Sequence, residues 1–256
     1  MRSKARFGFL ATLVLGLAAL MAPTASAATW TVLPPSQYKV ITPDGADLYD
    51  VQQSGTTYAM RAPGLGDYVY PPNTGSNLRE VYWPAGTGDT TSSQVCAKWY
   101  SQSSASTQEG LAFHVVNYAD GHMTGITVTK NVIYGVYWVF NVHTWDTTGG
   151  NYAAPAPIAQ FDMGSVVTAN GAFKAFPWSI CGRLVNNQLQ VKVWVPADGA
   201  EPAWTDTTHV GTVAIPAAFQ GPGKSGFYIG HLPPGGTALY TNAAITNLDG
   251  AGAKLK

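Results

Sequence analysis

Charge is what this sequence has least of. Its 256 residues hold 14 Lys and Arg against 14 Asp and Glu, a charged share of 11%, where soluble domains usually carry ~25%. With no basic surplus to neutralise phosphates, nucleic acid is excluded as a partner. Cysteine is nearly as scarce: Cys96 and Cys181 are the only two, with no CxxC spacing and no His beside either, which argues against a metal pair or a catalytic thiol. Glutamate is confined to Glu80, Glu109 and Glu201. No Pro/Ser/Gly linker, charge run or fixed-period repeat divides the chain. Helical periodicity is also nearly missing, which removes the crossover helices a parallel α/β sheet needs.

One apolar run stands out, at residues 7–22. Arg2, Lys4 and Arg6 precede it and Ala25-Ser26-Ala27 follows, the basic, apolar and small-x-small order of a secretory leader. The run is shorter than the ~20 residues that cross a bilayer. The pattern predicts a cleaved signal peptide over 1–27, a secreted product and no membrane span after cleavage. Residues 28–256 are then expected to form one domain with a short flexible C-terminal tail. Loss of the three leader cations leaves 11 basic side chains against 14 acidic ones. In an oxidising compartment Cys96 and Cys181 are expected to pair.

What the sequence does have is turn residues, hydroxyls, amides and aromatics, with 28 Gly, 13 Tyr and 8 Trp. Short alternating stretches separated by turns predict strands over 38–41, 78–83, 94–100, 111–118, 123–132, 134–145, 183–186, 188–195, 209–215, 227–231 and 239–248. Asp120-Gly121 and Asn186-Asn187 read as type I′ hairpin turns. Leu189, Val191, Val193 and Val195 form one face of a strand, with Gln188, Gln190, Lys192 and Trp194 opposite. Between 134 and 145, Val136, Trp138, Phe140 and Val142 read as core, leaving Tyr137, Asn141, His143 and Trp145 on the other face. Recurrent antiparallel strands predict an all-β fold, an antiparallel β-sandwich.

The stretch Val191-Lys192-Val193-Trp194, the loop Glu201-Pro202-Ala203-Trp204, the strand Gly226-Phe227-Tyr228-Ile229 and the closing Ala244-Ile245-Thr246 resemble the C-terminal part of concanavalin A-like lectin/glucanase domains of the laminin-G-like kind. The resemblance covers roughly residues 180–248. It implies a jelly roll of two facing antiparallel sheets, one concave and often used for glycans. It also raises calcium as a candidate ion, with Asp44, Asp47 and Asp50 near a Gly, although their spacing is not a calcium loop; otherwise no metal or cofactor is expected.

For chemistry, the glucanase E-x-D-x-x-E pattern is missing, and Asp146 with Asp162 is the remaining pair for a glycosidase, which needs two carboxylates across the bond. Alginate-lyase jelly rolls are similar in another way. They carry an early arginine and glutamate, a histidine on a middle strand and a late tyrosine, for which Arg79, Glu80, His143 and Tyr228 are the counterparts. Arg79 and Glu80 are adjacent, so they are expected on opposite faces. With Asn141, these residues could serve β-elimination if they converge. Tyr137, Asn141, His143, Trp145 and Trp194 are the candidate ligand contacts, the tryptophans as platforms for sugar rings. The leading expectation is therefore a protein that binds carbohydrate or another cell-envelope component without catalysis. A polysaccharide lyase or glycoside hydrolase, and a structural envelope protein, are the alternatives.

Overall fold

A computed structural model describes residues 29–41, 49–62, 78–103, 107–131, 139–150 and 155–250. The expected leader, Asp44, Asp47, Tyr137, Val136, Trp138 and the tail at 251–256 lie outside the described residues. Strands dominate: β1 (Thr31–Val32), β2 (Tyr38–Val40), β3 (Asp50–Ser54), β4 (Thr57–Arg61), β5 (Arg79–Tyr82), β6 (Ser93–Gln102), β7 (Gln108–Asn117), β8 (Met123–Asn131) and β9 (Val139–Asp146) come first. They are followed by β10 (Ala159–Asp162), β11 (Thr168–Ala169), β12 (Ala172–Phe173), β13 (Trp178–Val185), β14 (Gln188–Trp194), β15 (Val210–Ala214), β16 (Lys224–Gly230) and β17 (Thr237–Asn247). Among the described residues the one α-helix is the short Gly164–Val167, and no helix there is long and apolar enough to cross a membrane.

Two antiparallel sheets carry the fold. One has eight strands in the order β1-β3-β4-β17-β6-β13-β14-β15, and the other has seven in the order β10-β9-β8-β7-β16-β5-β2. They stack as the antiparallel β-sandwich that the recurrent strands predict, in keeping with the jelly roll that the resemblance implies. Leu189, Val191, Val193 and Val195 of the eight-stranded sheet are all buried, as are Phe113, Ile126, Phe140, Val142 and Phe227 of the other. Trp99 on β6 stacks on Phe140 of β9 at 5.8 Å between ring centroids, and Tyr58 on β4 meets Phe227 of β16 at 5.4 Å. Each such side chain contributes ~1.5–3 kcal/mol on burial, so the interleaved rings, with the aliphatic residues packed among them, hold the two sheets together.

The turns show which residues set the registers. Asn186 and Asn187 both have positive φ, 50° and 59°, and close the β13–β14 hairpin as the type I′ reading requires. At the β7–β8 turn only Gly121 is left-handed, with φ 91°. Tyr118 and His122 bracket a three-residue loop in which the Gly121 N–H donates to the Tyr118 carbonyl at 3.0 Å. This is a type I turn with a glycine bulge rather than type I′. Cys96 and Cys181 sit directly opposite each other on β6 and β13 and are joined by a disulfide, as expected.

The interior also holds charge. Glu80, Ile229 and Glu109 are register partners across β5, β16 and β7. Lys130 on β8 pairs with the Glu109 carboxylate at 2.8 Å, both side chains being shut off from water. Burial pushes Glu109 up, and the Lys130 ammonium pulls it back. Glu80 has no such cation. One of its oxygens has no hydrogen-bond partner, and burial pushes its carboxyl up to about 8 despite a bond from the Tyr49 N–H. Glu80 is therefore a neutral acid at pH 7.

This fixes the sign of a pH effect. Between the ordinary value of 4.5 and about 8 the folded chain keeps a proton that the unfolded chain has released, so stability falls as pH rises through this window and levels off above it. The loss is on the order of a few kcal/mol. Replacing Glu80 by Gln is expected to flatten this slope and to raise the melting temperature at pH 8 above that of the wild type, read by thermal unfolding across the range.

Candidate functional site

The residues singled out for chemistry separate by face. On β5, Arg79 and Val81 turn outward, whereas Glu80 and Tyr82 point between the sheets. Glu80 therefore leaves the candidate set, for the reason its adjacency to Arg79 foreshadows. On β9 the alternation sends Phe140 and Val142 inward and Asn141, His143 and Trp145 outward. Tyr228 on β16 shares that outer face, and the register carries one row from Tyr228 through Gly110 and Thr129 to Asn141. Arg79, Asn141, His143 and Tyr228 thus stand on a single face of the seven-stranded sheet. Trp194, on β14, belongs to the opposite sheet.

This face is concave. Four strand spacings separate β5 from β9, or ~19 Å in a flat sheet, yet the Arg79 guanidinium lies 5.7 Å from the Trp145 ring. The reach of the two long side chains, together with the twist and curvature of the sheet, brings these ends together. Trp145 is correspondingly no exposed platform: it is buried with Ile41, Val81, Trp83, Met123 and Tyr228, and its indole N–H donates to Thr127 Oγ1 at 2.8 Å.

Electrostatics give each group a state. His143 Nδ1 lies 2.9 Å from the Pro155 carbonyl oxygen, so Nδ1 carries the proton and Nε2 the lone pair. Burial, aided by the Arg79 charge, holds the imidazole below its ordinary 6.5. Tyr228 is a neutral phenol, pushed up to about 12 by burial although an Arg79 hydrogen bond opposes the shift. Its hydroxyl donates to Gln108 Oε1 at 3.2 Å. The Asn141 Oδ1 accepts from Gln160 Nε2 at 2.9 Å, which orients the amide with its own N–H group available to donate. A cation, an amide donor, a neutral base and a neutral acid therefore stand on one face of the seven-stranded sheet.

Sequence reasoning misses Gln108 and Gln160. The expected strand begins at residue 111, whereas β7 begins at Gln108, where it pairs with β16. The signal available was the parity of Gln108 with Gly110. Asp146 and Asp162 do not form a hydrolytic pair. Asp162 is opposite Val139, while Asp146 lies seven residues further along β9, ~23 Å away in an extended strand. Each closes a local turn instead, on Thr148 and Gly164 respectively. Asp50 accepts from Gln52, and among the described residues no group of three or more His, Cys, Asp or Glu could hold a metal.

No protein-family model and no curated protein matches the chain in sequence. Solved structures similar to it include the carbohydrate-binding module CBM66 from Bacillus subtilis, at 8% identity, a TM-score of 0.45, and cover of 82% of this chain and 96% of that one. A protein of unknown function with a galectin-like fold, also from Bacillus subtilis, has 10% identity and a TM-score of 0.46, with 83% and 90% covered. The alginate lyase A1-II′ has 9% identity and a TM-score of 0.42, with 83% and 95% covered.

Two glycines hold the Tyr228 ring in place. A Cβ at Gly110 would lie 2.1 Å from the Val128 carbonyl oxygen and 3.2 Å from Tyr228 Cδ1, and one at Gly230 would lie 2.5 Å from the Tyr228 hydroxyl. Gly110→Ala is expected to cost about 1–3 kcal/mol, the usual penalty for overpacking, as a lowered denaturation midpoint. Gly230→Ala meets only the end of the phenol, so it should move the hydroxyl off Gln108 with a smaller loss, visible as a lower tyrosine titration in ultraviolet difference spectra.

Proposed function

We propose that the protein is an exported, glycan-active enzyme that cleaves a uronate-containing polysaccharide by β-elimination. The observation that carries this reading is the shared concave face of Arg79, Asn141, His143 and Tyr228, with the His143 lone pair at Nε2. A uronate's acidic proton sits at C5, next to the carboxyl group. His143 Nε2 takes that proton, and the electron pair moves into the carboxyl group as an enolate. The Arg79 guanidinium and the Asn141 amide stabilise the added charge. Collapse of the enolate forms the C4–C5 double bond and breaks the bond from C4 to the glycosidic oxygen. That oxygen leaves with the proton of the Tyr228 hydroxyl, and Tyr228 regains a proton from solvent while His143 releases its own.

Both proton-transfer groups are in the required state at neutral pH: the base is uncharged because its pKa is depressed, and the acid is protonated because its pKa is raised. The Tyr228 side chain is buried, so access for a sugar requires the shielding contacts on this face to open. A binder that uses Trp145 and Trp194 as paired platforms is disfavoured, because Trp145 is buried and Trp194 is on the other sheet. Export is supported by the disulfide and by the leader pattern.

The test is incubation of the processed chain with polyuronates and neutral glucans, followed by the ultraviolet absorbance of unsaturated uronate ends. His143→Ala and Tyr228→Phe are each expected to lower turnover by about 10²–10⁴-fold. Because His143 must be unprotonated to act, the rate should fall with acidification only below pH 6.5, its ordinary value. Full activity in His143→Ala, or no unsaturated ends from any polyuronate, overturns the assignment.

A further inference from the structure

The outer face of the eight-stranded sheet, on the far side of the sandwich from His143, is polar but not uniformly satisfied. Lys192 on β14 is buried, and its ammonium lies between the Trp194 and Trp204 rings, 5.7 and 4.2 Å from their centroids. It donates to the Glu201 carboxylate and to the Pro202 carbonyl. Arg183 on β13 lies 4.4 Å over the Trp204 ring and donates from Nε to Gln190. These two cations are committed to the architecture of the loop at 201–204.

Lys98 on β6 is different. It is half-buried and makes no hydrogen bond, ion pair or ring contact among the described residues. The register puts it in one row with Ser179 and Trp194, across β6, β13 and β14. That row borders an open cleft of about 400 Å³, lined also by Glu201, Asn242 and Cys96. The volume falls within the ~300–1,000 Å³ of small-ligand sites. Glu201, the cleft's one carboxylate, is taken by Lys192, so the charge left to attract a ligand is that of Lys98. A bulge in β17 between Thr241 and Ala244, with Asn242 at φ 51°, brings the Asn242 amide to the rim.

We infer that this cleft is a second binding site for an acidic glycan chain, separate from the concave face. Lys98 meets a sugar carboxylate as a point charge. The half-buried Trp194 ring covers the C–H face of the same or the next sugar, where an aromatic surface removes apolar area from water. Ser179 and Asn242 supply neutral hydrogen bonds for hydroxyls. The choice of a uronate polymer over other anions rests on the elimination reading above; the binding itself needs no catalysis. With its two sites on opposite sheets, the chain can stay attached to a polymer through the Lys98 cleft while His143 meets another stretch.

Affinity electrophoresis of the full processed chain in gels containing a polyuronate or a neutral glucan tests the site. Retardation is expected in the polyuronate alone and should weaken with salt. Lys98→Ala and Trp194→Ala should each weaken it about tenfold, the scale of one lost charge-assisted contact or stacking surface, and Lys98→Arg should restore it. Neither substitution should alter turnover of a short uronate oligosaccharide, while both should slow attack on the long polymer. Unchanged retardation in the Lys98→Ala/Trp194→Ala double variant overturns the inference, as does equal retardation by neutral glucan or loss of retardation in His143→Ala alone. Retardation that depends on Lys98 without any unsaturated product upholds this site and overturns only the elimination reading; no retardation of the wild type overturns this site, while the appearance of unsaturated ends alone decides the elimination reading.

Discussion

The side chains of the seven-stranded sheet point alternately into the sandwich and onto a concave face, and both sides are largely closed to water. Every polar group on these strands must therefore find a partner or give up its charge. Lys130 and Glu109 find each other, Glu80 keeps its proton, and the Tyr240 hydroxyl bridges the Gly110 N–H and the Tyr228 carbonyl. The same pressure acts one residue away, on the opposite face. It leaves His143 uncharged and Tyr228 protonated, with Arg79 as the permanent cation whose field acts on both. The chemical states of the groups on the concave face are thus consequences of burial.

Much of the inner face was legible from residue types. Alternation through 188–195 identifies which side of β14 is core, and Asn186-Asn187 identifies the turn before it, because both signals depend on neighbours in sequence. The β3–β4 hairpin escapes this reading. Gln52, Gln53 and Ser54 carry no apolar alternation, and Gly55 at φ 58° is the one local mark of the turn. Its place in the sheet comes from pairing with β17, nearly two hundred residues away.

The candidate site was legible in parity and illegible in assembly. That Arg79 and Glu80 diverge, and that Asn141 and His143 share a side, follows from the two-residue strand period. That Tyr228 stands in a row with Asn141 follows from the order β9-β8-β7-β16, which depends on long-range partners. Trp145 shows the other limit. Its polar neighbours at 141 and 143 suggested an exposed face, whereas curvature and the side chains on adjoining strands enclose it.

The bond between Cys96 and Cys181 has a mechanical meaning. It joins two adjacent strands of one sheet, and the 85-residue excursion it closes contains β7, β8, β9 and β10 of the other. Tension applied to the two ends of the chain would run through the sulfur bridge and bypass that excursion altogether. In a protein dragged through a gel-like envelope or pulled by a tethered polymer, the part bearing Asn141 and His143 would stay slack while the outer strands of the other sheet bore the load.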